Sequence, residues 1–330
     1  MPIALTYLIA YIILLMCAIV CVVRRHGTKK VVPLSVNYHF TRRCNKECGF
    51  CFHTAKTSFI LSEPAAKRGL SLLKRAGMRK LNFAGGEPFL YPKFLGSLVQ
   101  YGKEVLDIES ISIVTNGSLV REDWLRRYGS YLDIMAVSCD SFNEDANIRI
   151  GRGSGDNVAQ LFKLRDWCRQ YGIKFKLNTV VCRDNVDENM SARVAELEPF
   201  RWKCFQVLKV EGENDSDKTL RDVRRFEISD DEFAAFCGKH RHLKCFVPES
   251  NRVMAHSYLL LDEYMRFLRG DNKNTTSKTI LDIGIERALE AVYWDKESFQ
   301  ERGGVYDWTR HQLDTSDCGR ECGGEKNLEW

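Results

Sequence analysis

Six strand-like stretches, each followed by a helical one, predict an α/β protein built as a partial, TIM-like barrel of six β/α units. An N-terminal membrane helix precedes the barrel and a C-terminal extension follows it. Three observations carry this prediction. Strands and helices alternate, so every crossover returns the chain to the same end and the strands run parallel. Six units are too few to close an eightfold barrel. And from Met1 to Val23 there is no charged residue, which sets that segment apart from the rest.

Taken in order, the run from Ile3 to Val23 is long enough, at about 1.5 Å per helical residue, to cross a hydrocarbon layer of roughly 30 Å. Arg24, Arg25, Lys29 and Lys30 follow at once, and the positive-inside tendency keeps that flank on the cytosolic side. Residues 1–26 therefore read as an anchor and 27–33 as a basic linker. Pro33 opens the first strand, Leu34 to Phe40, and Ser62 caps a helix running to Gly77. Lys80 to Ala84 is the second strand, and a helix over Leu95 to Val105 leads to the third, Ile111 to Thr115. Leu132 to Ser138, Ile173 to Val181 and Trp202 to Val210 complete the six, with helices over Val158 to Tyr171 and Asn189 to Leu197 between them. The barrel thus spans 34–229. From Asp230 the pattern is mainly helical, with an extended piece near Cys245 to Pro248, and 230–330 reads as an extension covering the barrel.

The net charge of +5 comes from 49 basic and 44 acidic residues mixed along the chain, which does not describe a surface that coats nucleic acid. Of 13 cysteines, most are scattered through core-like segments, and one tight group stands out. That usage fits a reducing compartment and a metal site better than a disulfide framework.

In parallel sheets chemistry gathers where strands end. Cys44, Cys48 and Cys51 lie on one short loop after the first strand. A structural zinc site needs a fourth ligand, which His53 could supply, although such sites usually draw pairs of ligands from two knuckles. A 4Fe–4S cluster on three thiolates instead leaves one iron open to a methionine moiety. Gly85-Gly86-Glu87-Pro88 follows the second strand, Asn116 the third, Ser138 ends the fourth, and Arg152 sits between two glycines.

The cysteine spacing, with Phe50 before the last cysteine, resembles the radical S-adenosylmethionine (SAM) superfamily. The segments Ser35 to Arg42, Cys48 to Ser58, Ile150 to Gly153, Val247 to Asn251 and Leu261 to Leu268 resemble its viperin family in particular, over roughly residues 34 to 310. The resemblance implies a 4Fe–4S cluster on Cys44, Cys48 and Cys51, and SAM held by Gly85, Gly86, Glu87, Asn116, Ser138 and Arg152. It places a nucleoside triphosphate against Asn37, Lys80, Lys176, Asn178, Arg201, Lys203 and Tyr258, with Tyr258 as the catalytic candidate. Lys and Arg in those positions suit a polyanion, and a buried cation without a partner is costly.

The implied reaction is radical dehydration of a nucleotide, CTP in animal members, to its 3′-deoxy-3′,4′-didehydro form, an antiviral chain terminator. A 5′-deoxyadenosyl radical would take hydrogen from C4′. Further expectations are an electron donor, the cytosolic iron–sulfur assembly machinery reading Trp330, and residence on the cytosolic face of the endoplasmic reticulum or on lipid droplets. Cys318 and Cys322 depart from the family pattern. Two other readings stand beside this one: a radical SAM peptide maturase, and a membrane-tethered zinc-knuckle scaffold.

Overall fold

A computed structural model describes residues 31–254, 257–268, 276–292 and 294–310. The anchor over residues 1–26, the cysteines Cys318 and Cys322, and Trp330 lie outside the described residues. Among the described residues no helix is long and apolar enough to cross a membrane.

Eight strands form one sheet: β1 (Ser35–His39), β2 (Lys80–Ala84), β3 (Ser110–Thr115), β4 (Ile134–Ser138), β5 (Lys174–Val181), β6 (Arg201–Gln206), β7 (Phe246–Glu249) and β8 (Leu260–Leu261). Their order is β7-β6-β5-β4-β3-β2-β1-β8, and every neighbouring pair is parallel. The six expected units are β1 to β6. The expectation of six strands is corrected to eight, because the extension adds a strand to each edge instead of only covering the barrel. β7 corresponds to the extended piece expected near Cys245 to Pro248 but not assigned to the sheet, and β8, at two residues, is too short to display an alternating pattern.

The sheet is an open, curled half-barrel. β6 and β8 stand far apart in strand order, yet Lys203 Nζ on β6 lies 2.9 Å from the hydroxyl of Tyr258, just before β8. Curling alone brings them together. Alternation decides what faces each side. On β1, Val36 and Tyr38 are fully buried in the layer shared with the helices, where Leu70 and Leu73 of the helix Glu63–Arg75 pack, while Ser35, Asn37 and His39 face a central cavity.

The N-terminal ends of the strands are plugged by the extension. Ser110 at the start of β3 donates to the Trp308 carbonyl at 2.8 Å, Trp308 Nε1 donates to Glu109 at 2.7 Å, and Lys174 at the start of β5 reaches Asp307 at 2.9 Å. The opposite, C-terminal end carries the cysteine loop.

Candidate active site

One cavity of about 410 Å³ occupies the inside of the curl. It is lined at one end by Cys44, Cys48, Cys51, Gly85, Gly86, Asn116, Ser138 and Arg152, and towards the other by Asn37, Lys80, Lys176, Asn178, Lys203 and Tyr258. Of the residues singled out from sequence, two do not line it: Glu87 and Arg201.

The cysteine loop is built by backbone. Gly86 N–H donates to the Thr41 carbonyl at 2.6 Å and Glu87 N–H to that of Arg43 at 2.9 Å, so the loop lies directly on the Gly85-Gly86 turn. A Cβ at Gly86 would stand 2.0 Å from the Arg43 carbonyl oxygen, and one at Gly85, where φ is +147°, 2.4 Å from that of Thr41. The glycines are required by this close approach of the cysteine loop. On its other side the loop is held by Gly151: Glu47 N–H donates to its carbonyl at 3.0 Å, and Gly49 N–H to that of Ile150.

Glu87 is fully buried and serves the frame. Its carboxylate accepts from Phe89 N–H at 3.0 Å, Thr115 Oγ1 at 2.7 Å and Asn116 N–H at 2.8 Å, tying the end of β3 to the glycine turn. Arg152 is held by Asp140, a fully buried carboxylate that sequence reasoning did not single out, and lies 5.8 Å over the ring of Phe50.

Burial pushes all three thiols up, Cys48 to about 12. Anything that takes them as thiolates must therefore displace their protons. Among the described residues no three His, Cys, Asp or Glu side chains converge on a point where a single ion would sit. Three thiols on one cavity wall fit a 4Fe–4S cluster with one iron left open. The adjoining wall of Gly85, Gly86, Asn116, Ser138 and Arg152 fits SAM, offering one fixed cation and neutral hydrogen-bonding groups beside the open corner.

The far end of the cavity is cationic. Register places Lys176 beside Arg201 and Asn178 beside Lys203. Lys203 is bonded to Glu249, which also accepts from Tyr258 and, at 3.3 Å, from Arg302. So Lys203 is not the partnerless cation the sequence suggested. Glu249 and Arg302 were missed; Glu249 sits in a segment that had been noticed only for its resemblance, and Arg302 in a polar stretch with no motif. Arg201 shares the inward face of β6 with Lys203 but sits behind the cavity wall, stacking 4.4 Å from the ring of cavity-lining Tyr306 and donating to the Gly303 carbonyl at 3.1 Å.

The charge balance of this region is uneven. Lys80, Lys176, Arg201, Lys203 and Arg302 cluster around the buried Glu249, while the second buried carboxylate near Lys80, Asp133, is paired with Lys103. Although burial opposes it, Lys203 and Arg302 hold Glu249 ionised, down to about 2. Burial, reinforced by neighbouring cations, lowers Lys80 and Lys203 to about 7, and Lys176 falls well below its ordinary range for the same reasons. Lys176 makes no hydrogen bond or ion pair with the other described residues.

The Radical SAM superfamily profile matches residues 38–194. Among solved structures, SuiB of Streptococcus suis bound to S-adenosylmethionine superposes with a TM-score of 0.63 at 16% identity, covering 86% of this chain and 70% of its own, a likeness of fold. The rainbow trout (Oncorhynchus mykiss) protein named S-adenosylmethionine-dependent nucleotide dehydratase RSAD2 is 54% identical over 85% of this chain and 82% of its own length. Its zebrafish (Danio rerio) namesake is 53% identical over 85% and 80%. A protein of Flammeovirga pacifica named S-adenosylmethionine-dependent nucleotide dehydratase is 34% identical over 84% of this chain and 97% of its own. The zinc-knuckle scaffold reading is thereby overturned. With the thiol loop, the SAM wall and this identity agreeing, the chain belongs to the nucleotide dehydratase (viperin) family of radical SAM enzymes, which use S-adenosylmethionine and a 4Fe–4S cluster.

Proposed function

We propose that this enzyme dehydrates a nucleoside triphosphate, with CTP the favoured substrate, to the 3′-deoxy-3′,4′-didehydro nucleotide. The observation that carries the proposal is the cationic end of the cavity: Lys80, Lys176, Lys203 and Arg302 line it around Glu249, and burial disfavours the ammonium form of the three lysines. A triphosphate supplies negative charge whose attraction offsets the desolvation of the protonated lysines.

In this reading Cys44, Cys48 and Cys51 hold the cluster, and Gly85, Gly86, Asn116, Ser138 and Arg152 line the seat of SAM. When bound, the two supply a reducing electron and the 5′-deoxyadenosyl radical that takes hydrogen from C4′. The chain's own work is positional. Lys80, Lys176, Lys203 and Arg302 take the phosphates, and Tyr258, fixed by Glu249 and Lys203, closes the wall beside them. Ala84 lines the cavity and Ala136, on the inward face of β4 beside Lys176, presents only a methyl group, which leaves room for the ribose. Asn37 and Asn178 offer neutral hydrogen-bonding groups at that level. The sheet's curl and the plug of residues 299–308 exclude water from the reacting carbons.

The test is product analysis. Reduced, cluster-loaded enzyme with SAM and CTP should yield a nucleotide lighter by one water, with its 3′,4′ double bond visible by NMR. Recovery of unchanged CTP, while another triphosphate is dehydrated, would move the assignment to that base.

A further inference from the structure

At the thiol end of the cavity the protein holds one guanidinium in a fixed pose. Nε and Nη2 of Arg152 donate to the Asp140 carboxylate at 2.5 and 3.3 Å, the two-pronged pairing that suits a planar guanidinium. Its centre lies 5.8 Å from the ring of Phe50, the residue before Cys51. One edge and one face are thus engaged. Among the described residues Nη1 has no hydrogen-bond partner, and Arg152 lines the cavity beside Cys44, Cys48 and Cys51. The free edge is the one offered to whatever enters. Lys46 lines the same end, but no described residue pairs with its ammonium to hold it in place.

Asp140, two residues past β4, is itself immobilised. It is fully buried, and its Oδ1 accepts from Val180 N–H at 2.9 Å. Asn185, 2% exposed, donates its side-chain amide to the Asp140 carbonyl at 2.6 Å and to the Val180 carbonyl at 2.9 Å. Arg152 springs from the loop that grips the cysteines. Its N–H donates to the Asn147 carbonyl at 2.8 Å, and the carbonyl of neighbouring Gly151 accepts from Glu47 N–H at 3.0 Å. A long side chain with many rotamers is thereby locked to the frame that carries the thiols. Three thiolates attract the same cation, and the Asp140 fork holds it against them.

Resting on the reading of this wall as the seat of SAM, we propose that Asp140 is a positioning residue for that cofactor: it aims the free edge of Arg152 at the carboxylate of SAM's methionine end. That carboxylate is the cofactor's one anionic group, and a guanidinium held in place beforehand binds it without first having to be ordered. Asp140 touches neither cofactor nor substrate. It acts only through Arg152, and Asn185 fixes the backbone from which it does so.

Binding, measured apart from turnover, tests this. Cluster-loaded wild type, Asp140→Asn, Arg152→Met and the double variant are titrated anaerobically with SAM by calorimetry, with iron content and CTP affinity followed alongside. Asp140→Asn should raise the SAM dissociation constant on the order of tenfold, and Arg152→Met by as much or more. The double variant should be no worse than Arg152→Met, because Asp140 has nothing left to position. Iron content and CTP affinity should not move. Should Asp140→Asn fail to fold, Asp140→Glu decides in its place, since it keeps the charge and shifts it by one methylene; it too must weaken SAM binding. Asp140 variants that bind SAM normally while Arg152→Met does not overturn the proposal. So does a double variant weaker than Arg152→Met by the full Asp140→Asn factor, or a loss that follows iron content. An Arg152→Met that binds SAM as the wild type does removes the reading of this wall as SAM's seat, and the proposal with it.

Discussion

Lys203 shows how one side chain ties the nucleotide site together. It lies between Glu249, Tyr258 and the cavity, so truncating it removes a cation while leaving Glu249 with Arg302 and Tyr258 as partners. Lys203→Ala should weaken nucleotide binding by about 2 kcal/mol or more, roughly thirtyfold, with the cluster's absorbance intact. Calorimetric titration beside the visible spectrum checks both halves. Glu87 behaves differently. Its oxygens accept from three donors, and Glu87→Gln would turn an amide N–H on one of them, at a cost of about 1–3 kcal/mol in stability by thermal unfolding. Sequence singled out Glu87 as part of the turn after the second strand and Lys203 as a strand-borne cation suited to a polyanion. It could not tell that one belongs to the frame and the other to the cavity, because which neighbours a carboxylate meets is decided by the packing of distant strands.

At the scale of elements, the lysines on β2, β5 and β6 titrate as a set. Burial holds Lys80 and Lys203 at about 7, below the roughly 10.4 of the unfolded chain. The unfolded state therefore binds more protons between those limits, and the nucleotide-free protein gains stability as pH rises across that window. Nucleotide binding runs the other way: the anion calls the protons back, so binding takes up protons and weakens as pH climbs above about 7. Calorimetry in buffers of different ionisation enthalpy measures that uptake directly. The turn after β2 makes a second element-scale prediction. Gly86→Ala must push the Arg43 carbonyl away, displacing the cysteine loop, and should cost cluster content while the fold survives. Strands β1 to β6 were legible because five or more residues with alternating or continuous apolar character declare themselves. The two-residue β8 did not, though it carries the curl that brings Tyr258 to Lys203.

For the molecule as a whole, one cavity runs from the thiols to the cations, so cofactor and substrate share a single enclosure. The cysteine motif made the thiol end readable from sequence. The cationic end was readable only in part, since Glu249 and Arg302 come from the extension and reach the site through the curl and the plug. We propose that residues 1–26 anchor the enzyme to a membrane; deleting them should leave turnover unchanged and move the protein to the soluble fraction on cell lysis. The account as a whole is tested most directly by release of 5′-deoxyadenosine from reduced, cluster-loaded protein supplied with SAM. It predicts slow release with SAM alone and strong stimulation by a nucleoside triphosphate, CTP foremost. Stimulation by a peptide and by no nucleotide would contradict it.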